Sequence, residues 1–314
     1  MIHPLKLAGL VLRAVNRLRR NLYRRGLLRS ARLPRPVISI GNRSMGGAGK
    51  TPTVIAVARH LGAAGLRVVV LSRGHGRRSA ERFETVLSAD ARRYGDEPVV
   101  IATAVPDATV IVGRDRYHAA LSLLRDSDCD VFVLDDGFQH LQLDRDVDIV
   151  IEDHGATWLR EGFSALRDAD LVVGRGAAST ATYRARLEPV AVRGSETHSG
   201  LADLRGAAVF AFAGLASNDQ FFTMLENLGA RLVGRRSFSD HHPYSAADVR
   251  DIQEAARASG ATIVVTTEKD LVKIPNEGFA AVVAEMRIEP EAFFDRLLDA
   301  VVAAQNRLVP DDRG

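Results

Sequence analysis

The chain has 314 residues, 46 % of them hydrophobic and 26 % charged, which is the make-up of a globular protein with material for two cores. Its single cysteine, Cys129, excludes an internal disulfide framework and suits a reducing compartment. The net charge of +3 hides an asymmetry: residues 1–36 hold ten of the 42 Lys/Arg and no acid, leaving 32 basic against 39 acidic residues elsewhere, which excludes a nucleic-acid-binding body and predicts an anionic contact at the N-terminus.

Residues 4–30 interleave Leu5, Leu7, Leu10, Val11, Leu12, Val15, Leu18, Leu22, Leu27 and Leu28 with arginines at roughly helical spacing. No run approaches the ~20 apolar residues of a spanning helix, and the stretch lacks the apolar h-region and cleavage site of a signal peptide. It predicts a basic amphipathic helix that lies in an anionic membrane interface, or packs its apolar stripe on the body of the protein. Pro34 and Pro36 end it.

Residues 37–54, VISIGNRSMGGAGKTPTV, predict a buried strand, a glycine-rich turn and a helix. Ser44 stands where the strict G-x-x-x-x-G-K-[ST] pattern has glycine, yet the mechanics of a phosphate-binding loop are intact. Gly46, Gly47 and Gly49, with Ala48 between them, let backbone N–H groups turn around an anion; Lys50 reaches β- and γ-phosphates, and the Thr51 hydroxyl can ligate Mg²⁺. Pro52 falls in the first helical turn, where its missing N–H costs nothing.

The P-loop helix is expected over about 51–64, followed by a strand at 68–72 and the Gly/Arg-rich turn Arg73-Gly74-His75-Gly76-Arg77-Arg78, placed where α/β sheets bind ligands. In Tyr94-Gly95-Asp96-Glu97-Pro98, Asp96 has the position of a helix cap. A strand at 109–112 leads through Gly113-Arg114-Asp115-Arg116 into a helix reaching about 126. The apolar run 131–135 ends in Asp135-Asp136, the acid pair a P-loop needs for a hard cation. Gly137-Phe138-Gln139-His140 and strands at 148–151 and 170–173 follow, and the weakly patterned residues 176–203 read as a linker. Beyond it come a strand and helix over 207–228, a strand at 231–234, Phe238-Ser239-Asp240-His241-His242-Pro243-Tyr244, and a capping-box helix opened by Ser245 and Asp248. A strand at 262–265 runs into Thr266-Thr267-Glu268-Lys269-Asp270, and a strand at 281–284 and a helix over about 289–307 finish the chain. The His241-His242 pair has no third ligand at zinc-site spacing. The predicted fold is α/β: an N-terminal amphipathic helix (1–36), a P-loop NTPase-like, mostly parallel sheet flanked by helices (37–200) and a second, smaller α/β domain (201–314).

In order, S-I-G-N-R-S-M-G-G-A-G-K-T-P, S-R-G-H-G, G-D-E-P, V-G-R-D-R, D-D-G-F-Q-H with Arg145-Asp146 downstream, F-S-D-H-H-P-Y and T-T-E-K-D resemble the tetraacyldisaccharide 4′-kinase family of the lipid A pathway. The resemblance implies ATP- and Mg²⁺-dependent phosphorylation of the 4′-hydroxyl of a tetraacylated glucosamine disaccharide 1-phosphate, giving lipid IVA, by a peripheral protein at the cytoplasmic face of the bacterial inner membrane. It also implies roles: Lys50 and Thr51 for ATP and Mg²⁺, Asp135 and Asp136 for the metal, Asp96 as base, and His241 as the partner tuning Asp96 when the domains close. Gln139, His140 and Arg114 would line the site near acceptor or phosphates. No protein partner is implied. Two departures stand out. His75 replaces the tyrosine of the usual R-G-Y-G, expected near the adenine. Ala156-Thr157-Trp158-Leu159-Arg160-Glu161-Gly162-Phe163 replaces the usual L-P-A-G-P-L-R-E.

Two other classes compete. A membrane-associated switch ATPase of the deviant Walker type would carry a signature lysine where Met45 stands. A P-loop GTPase metallochaperone would need N/T-K-x-D, which Thr267-Glu268-Lys269-Asp270 does not supply.

Overall fold

The computed structural model describes residues 4–44, 49–153, 159–176, 179–194, 198–274 and 278–308. In chain order the elements are α1 (Pro4–Arg24), β1 (Val37–Asn42), α2 (Lys50–Ala63), β2 (Val68–Ser72), β3 (Phe83–Thr85), α3 (Ala91–Tyr94), α4 (Asp96–Ala104), β4 (Thr109–Gly113), α5 (Arg116–Asp126), β5 (Val131–Asp135), β6 (Val147–Asp153), β7 (Leu171–Arg175), β8 (Tyr183–Gly194), β9 (His198–Ser199), β10 (Ala208–Ala213), α6 (Asn218–Asn227), β11 (Arg231–Ser237), α7 (Ala246–Ala258), β12 (Ile263–Thr267), α8 (Glu268–Leu271), β13 (Ala280–Glu289) and α9 (Ala292–Leu308).

The strands form one 13-stranded sheet in the order β11-β10-β12-β13-β8-β7-β6-β1-β5-β2-β4-β3, with β9 paired to β8. Pairing is parallel except at β3–β4, β8–β9 and β8–β13. Every residue of β1, β2 and β5 is buried, because helices cover both faces and leave such strands no solvated side. On one face Ile38, Ile40, Val133 and Ile149 pack against Val54, Val57 and Leu61 of α2. On the other, Val69, Leu71, Phe132 and Leu134 meet Ala119 and Ala120 of α5 and Cys129. Burial pushes the Cys129 thiol up to about 12, so it is an inert apolar residue.

Two expectations are corrected here. Residues 176–203 contain the twelve-residue β8, which pairs with β7 on one side and β13 on the other and makes the sheet continuous across the expected linker. The pattern is hard to read because Tyr183-Arg184-Ala185-Arg186 alternates with charge and Pro189 sits where the register with β13 shifts. The C-terminal helix also departs from the 201–314 grouping. Phe293, Leu297 and Val301 of α9 are fully buried in the core beneath α2, with Ile38 and Val54. The remaining C-terminal core gathers Val209, Ala211, Phe222, Leu225 and Val265 on one face and Phe212, Tyr244, Ile252 and Phe279 on the other.

Helix α1 inverts the usual amphipathic arrangement. Its polar side faces the body: Asn16 Nδ2 donates to Arg160 O at 2.9 Å, Arg20 is buried, and Arg24 pairs with Asp168. Val11, Val15 and Leu18, spaced to lie on one side, are 56, 54 and 60 % exposed. Packing of the apolar stripe on the body, one of the two arrangements the sequence allowed, is therefore not what forms.

Candidate active site

The site collects at the C-terminal ends of β1, β2 and β5, where a parallel sheet opens to ligands. Gly46, Gly47 and Ala48 of the phosphate loop lie outside the described residues, as does Met45. Gly49 precedes α2 with φ of +81°, and a Cβ on it would meet Met286 Cε at 2.7 Å and Arg175 Nη1 at 3.0 Å. Any side chain here would be strained and crowded, which explains glycine at this position. Thr51 lies half-buried in the first turn of α2. Lys50 Nζ donates to Asn42 Oδ1 at 3.3 Å and stands 3.6 Å from Asp136 Oδ1.

The acid pair is asymmetric. Asp135, at the end of β5, is buried and accepts a hydrogen bond from Ser72 Oγ at 2.9 Å. Burial first, then the charges of Glu97 and Asp136, push its carboxyl up to about 7. Asp136 sits at φ of +51°. Burial works to raise its pKa, but Lys50 and Arg160, the latter 3.3 Å away, more than offset it and hold the carboxyl below its ordinary range. Asp136 Oδ1 is buried without a hydrogen bond. Glu97 is raised by burial and by neighbouring Asp96.

Asp96 does not cap α4: the N-cap position belongs to Gly95, and Asp96 Oδ1 accepts only the adjacent Glu97 N–H at 2.9 Å. Its Oδ2 lies 2.9 Å from His241 Nδ1. Asp96 is 6 % exposed. Burial alone would raise its carboxyl, yet the His241 hydrogen bond and the Lys269 charge leave it below the ordinary value. In return the Asp96 hydrogen bond lifts the His241 imidazole above its own. Residues 145 apart in sequence are thus brought together across the two halves of the sheet. His242 does not join them; it pairs with Asp248 at 3.3 Å and stacks on Phe238 with centroids 4.6 Å apart. Among the described residues no group of three or more His, Cys, Asp or Glu is arranged to hold a metal by itself.

Gln139 Nε2 donates to Asn42 O at 2.8 Å and to Glu161 Oε1 at 3.1 Å. His140 is kept neutral, its pKa pushed down to about 4 by burial and then by Arg116, Arg145 and Arg19. His75 is exposed, its ring 5.3 Å from that of His241. Arg114 is exposed, whereas Arg116, two residues on, is buried and interacts with the charges of Asp135 and Asp136.

Four residues assigned no role from the sequence are prominent here: Arg116, Arg160, Glu161 and Lys269. Arg160 and Glu161 were inside the divergent stretch, of which 154–158 lie outside the described residues. Their signal was the surviving Leu159-Arg160-Glu161, which keeps the last three letters of the usual stretch.

Comparison with known proteins agrees with this geometry. The chain matches the family described as tetraacyldisaccharide-1-P 4′-kinase over residues 2–303. It is 40 % identical over 288 residues to the tetraacyldisaccharide 4′-kinase of Pelobacter propionicus, covering 83 % of this chain and 80 % of that one. Against the enzyme of the same name from Geobacter metallireducens it is 41 % identical over 286 residues, covering 82 % and 84 %. The crystal structure of LpxK from Aquifex aeolicus in complex with ATP superposes with a TM-score of 0.78 at 30 % identity, covering 95 % of this chain and 98 % of that one. With motifs, sequence and fold agreeing over nearly its whole length, the chain belongs to the tetraacyldisaccharide 4′-kinase family.

Proposed function

We propose that this protein transfers the γ-phosphoryl group of ATP to the 4′-hydroxyl of a tetraacylated glucosamine disaccharide 1-phosphate, forming lipid IVA. The observation that carries the reading is the buried Asp96–His241 pair, with its 2.9 Å hydrogen bond, on the same sheet edge as Lys50 and the Asp135-Asp136 pair. Asp96, held as a carboxylate, takes the hydroxyl proton. The oxygen then bonds to the γ-phosphorus as the bond to the bridging oxygen of ADP breaks, its electron pair leaving with ADP. Such a transfer asks for positioning and charge neutralisation rather than covalent catalysis. Lys50, oriented by Asn42, supplies one cation to the phosphates.

Asp135, Asp136 and Thr51 fit Mg²⁺. Burial leaves one carboxyl near 7 and an oxygen of the other without a hydrogen bond, and Mg²⁺ needs only one or two carboxylates when phosphate oxygens and water complete its shell. When bound, it would neutralise phosphate charge. His75 and Arg114, both exposed at the rim, are proposed to meet the nucleotide base and the acceptor or phosphates, and Gln139 and His140 the acceptor side.

The outward apolar stripe of α1 supports a peripheral seat on an anionic bilayer, at the cytoplasmic face of the inner membrane. A hollow between α1 and residues 161–167 is lined by Arg13, Arg17 and Arg167, which add positive charge beside it, and by Arg20 and Arg24, whose charges are paired with Glu161 and Asp168. No described helix is long and apolar enough to cross a membrane.

Purified protein with Mg-ATP and the lipid disaccharide phosphate in detergent should incorporate phosphate; none, with intact ATP binding, overturns the kinase reading. In a second arm, the double substitution Val15→Ser, Leu18→Ser should release the protein from anionic vesicles with the fold intact. Unchanged vesicle binding rejects the membrane seat.

A further inference from the structure

His241 has a neighbour on each ring nitrogen. Nδ1 faces Asp96 Oδ2 at 2.9 Å, and Nε2 faces Lys269 Nζ at 3.1 Å. An ammonium carries three donors and no lone pair, so this contact is a hydrogen bond only if Nε2 is the acceptor. The ring's remaining proton must then sit on Nδ1, pointing at Asp96. A doubly protonated imidazole would set an N–H against the ammonium, two donors and two positive charges within hydrogen-bond distance.

The surroundings hold Lys269 in place. It lies in the short helix α8, whose N-cap Thr267 accepts from Asp270 N–H. Asp270, the next residue, is fully buried, accepts from Gly214 N–H at 2.9 Å and Thr267 Oγ1 at 2.8 Å, and pairs with Lys273 at 2.8 Å. Asp240 Oδ1 takes another proton of Lys269 at 2.9 Å. His241 is held from its own side as well: it is a non-glycine residue at φ of +58°, a conformation that must be sustained by its contacts. The charged and titratable groups around the imidazole are Asp96 and Glu97 from α4, Lys269 from α8, Asp240 beside it and the His75 ring, with Lys273 acting on Asp96.

We propose that Lys269 is a positioning residue for phosphoryl transfer, donating to His241 Nε2 and holding the imidazole as the neutral Nδ1–H tautomer that keeps Asp96 oriented and ionised as the base. The proposal rests on the reading of Asp96 as the acceptor of the hydroxyl proton. The charges around the ring are opposed: Asp96, chiefly through its hydrogen bond, and Asp240 lift His241 above its ordinary value, and the charge of Lys269 works against them. Without Lys269 the ring takes a second proton at higher pH, and an imidazolium beside Asp96 lowers its basicity.

The first test needs no variant and no substrate. In the intact protein, ¹⁵N spectra of labelled histidine should show His241 with Nδ1 protonated and Nε2 bare at pH 8; a protonated Nε2 overturns the proposal. In turnover, Lys269→Met should move the acid limb of the kcat–pH profile upward by about one pH unit, a tenfold loss of kcat on that limb that recovers at high pH. KM for ATP and for the lipid should stay within about twofold, and Lys269→Arg, which keeps charge and donor, should retain the wild-type limb. A limb unmoved in Lys269→Met means that Lys269 only latches Asp240. Full activity of Asp96→Asn would instead overturn the base assignment, while the spectra still report on Lys269.

Discussion

Asp96→Asn is expected to lower kcat by roughly 10²-fold or more, the range for removal of a general base, while ATP affinity stays within about twofold of wild type. The substitution keeps the shape and the hydrogen bond to the Glu97 N–H, and a melting curve checks that the fold is retained. What it removes is the negative charge proposed to take the proton. Burial by itself would push a carboxyl in this place up, but His241 and the nearby Lys269 more than offset it and hold Asp96 ionised throughout the working range. The proposed base is therefore set by position and dryness rather than by a raised pKa. Isothermal titration with ATP and steady-state kinetics separate the outcomes. A collapse of ATP affinity would mean that Asp96 supports the nucleotide site and is not the base.

Glu161→Ala is expected to be the most destabilising single change in the site region. Arg20 and Glu161 form a bidentate pair at 2.8 and 2.9 Å, with side chains 6 and 4 % exposed. Removing one member strands a buried charge, which costs about 3–5 kcal/mol. Arg20 keeps Asp168 at 3.0 Å and Phe138 O at 3.2 Å, so we expect the lower end, about 3 kcal/mol, read as a fall of several degrees in Tm. The loss should reach the chemistry too. Glu161 also accepts from Gln139, Gln139 donates to Asn42 O, and Asn42 accepts from Lys50, so one part-buried chain of hydrogen bonds links helix α1 to Lys50 at the start of α2. Arg20→Leu combined with Glu161→Leu should recover most of the Tm, because an apolar pair of similar volume replaces a buried ion pair at little cost. An unchanged Tm in Glu161→Ala would show that the pair is solvated.

Much of this molecule is legible residue by residue. The strand and helix flanking the glycine-rich turn, the acids ending β5 and the Ser245 helix cap are local events, governed by periodicity over a few residues and by turn chemistry. Motif order carried the family and, through it, the pairing of Asp96 with His241. The elements that escaped are the ones whose logic is not local. Strand β8 reads as a linker because its β13 partners lie 86 residues or more away, Gly194 opposite Ala280 being the nearest, while β7 is adjacent, and because alternating arginines suit a strand whose faces differ.

By itself the sequence determined that a glycine-rich stretch leading into Lys50-Thr51, an adjacent carboxylate pair and a basic helix occur in one α/β chain, since each is a short-range arrangement of residue types. Only the tertiary structure decided which face of α1 meets the body, that α9 returns to the N-terminal core, and that Lys269, Glu161 and Arg160 belong beside the residues the motifs named. The reason is physical: burial, ion pairing and tautomer choice depend on groups brought together across the sheet, and no spacing along the chain records those distances.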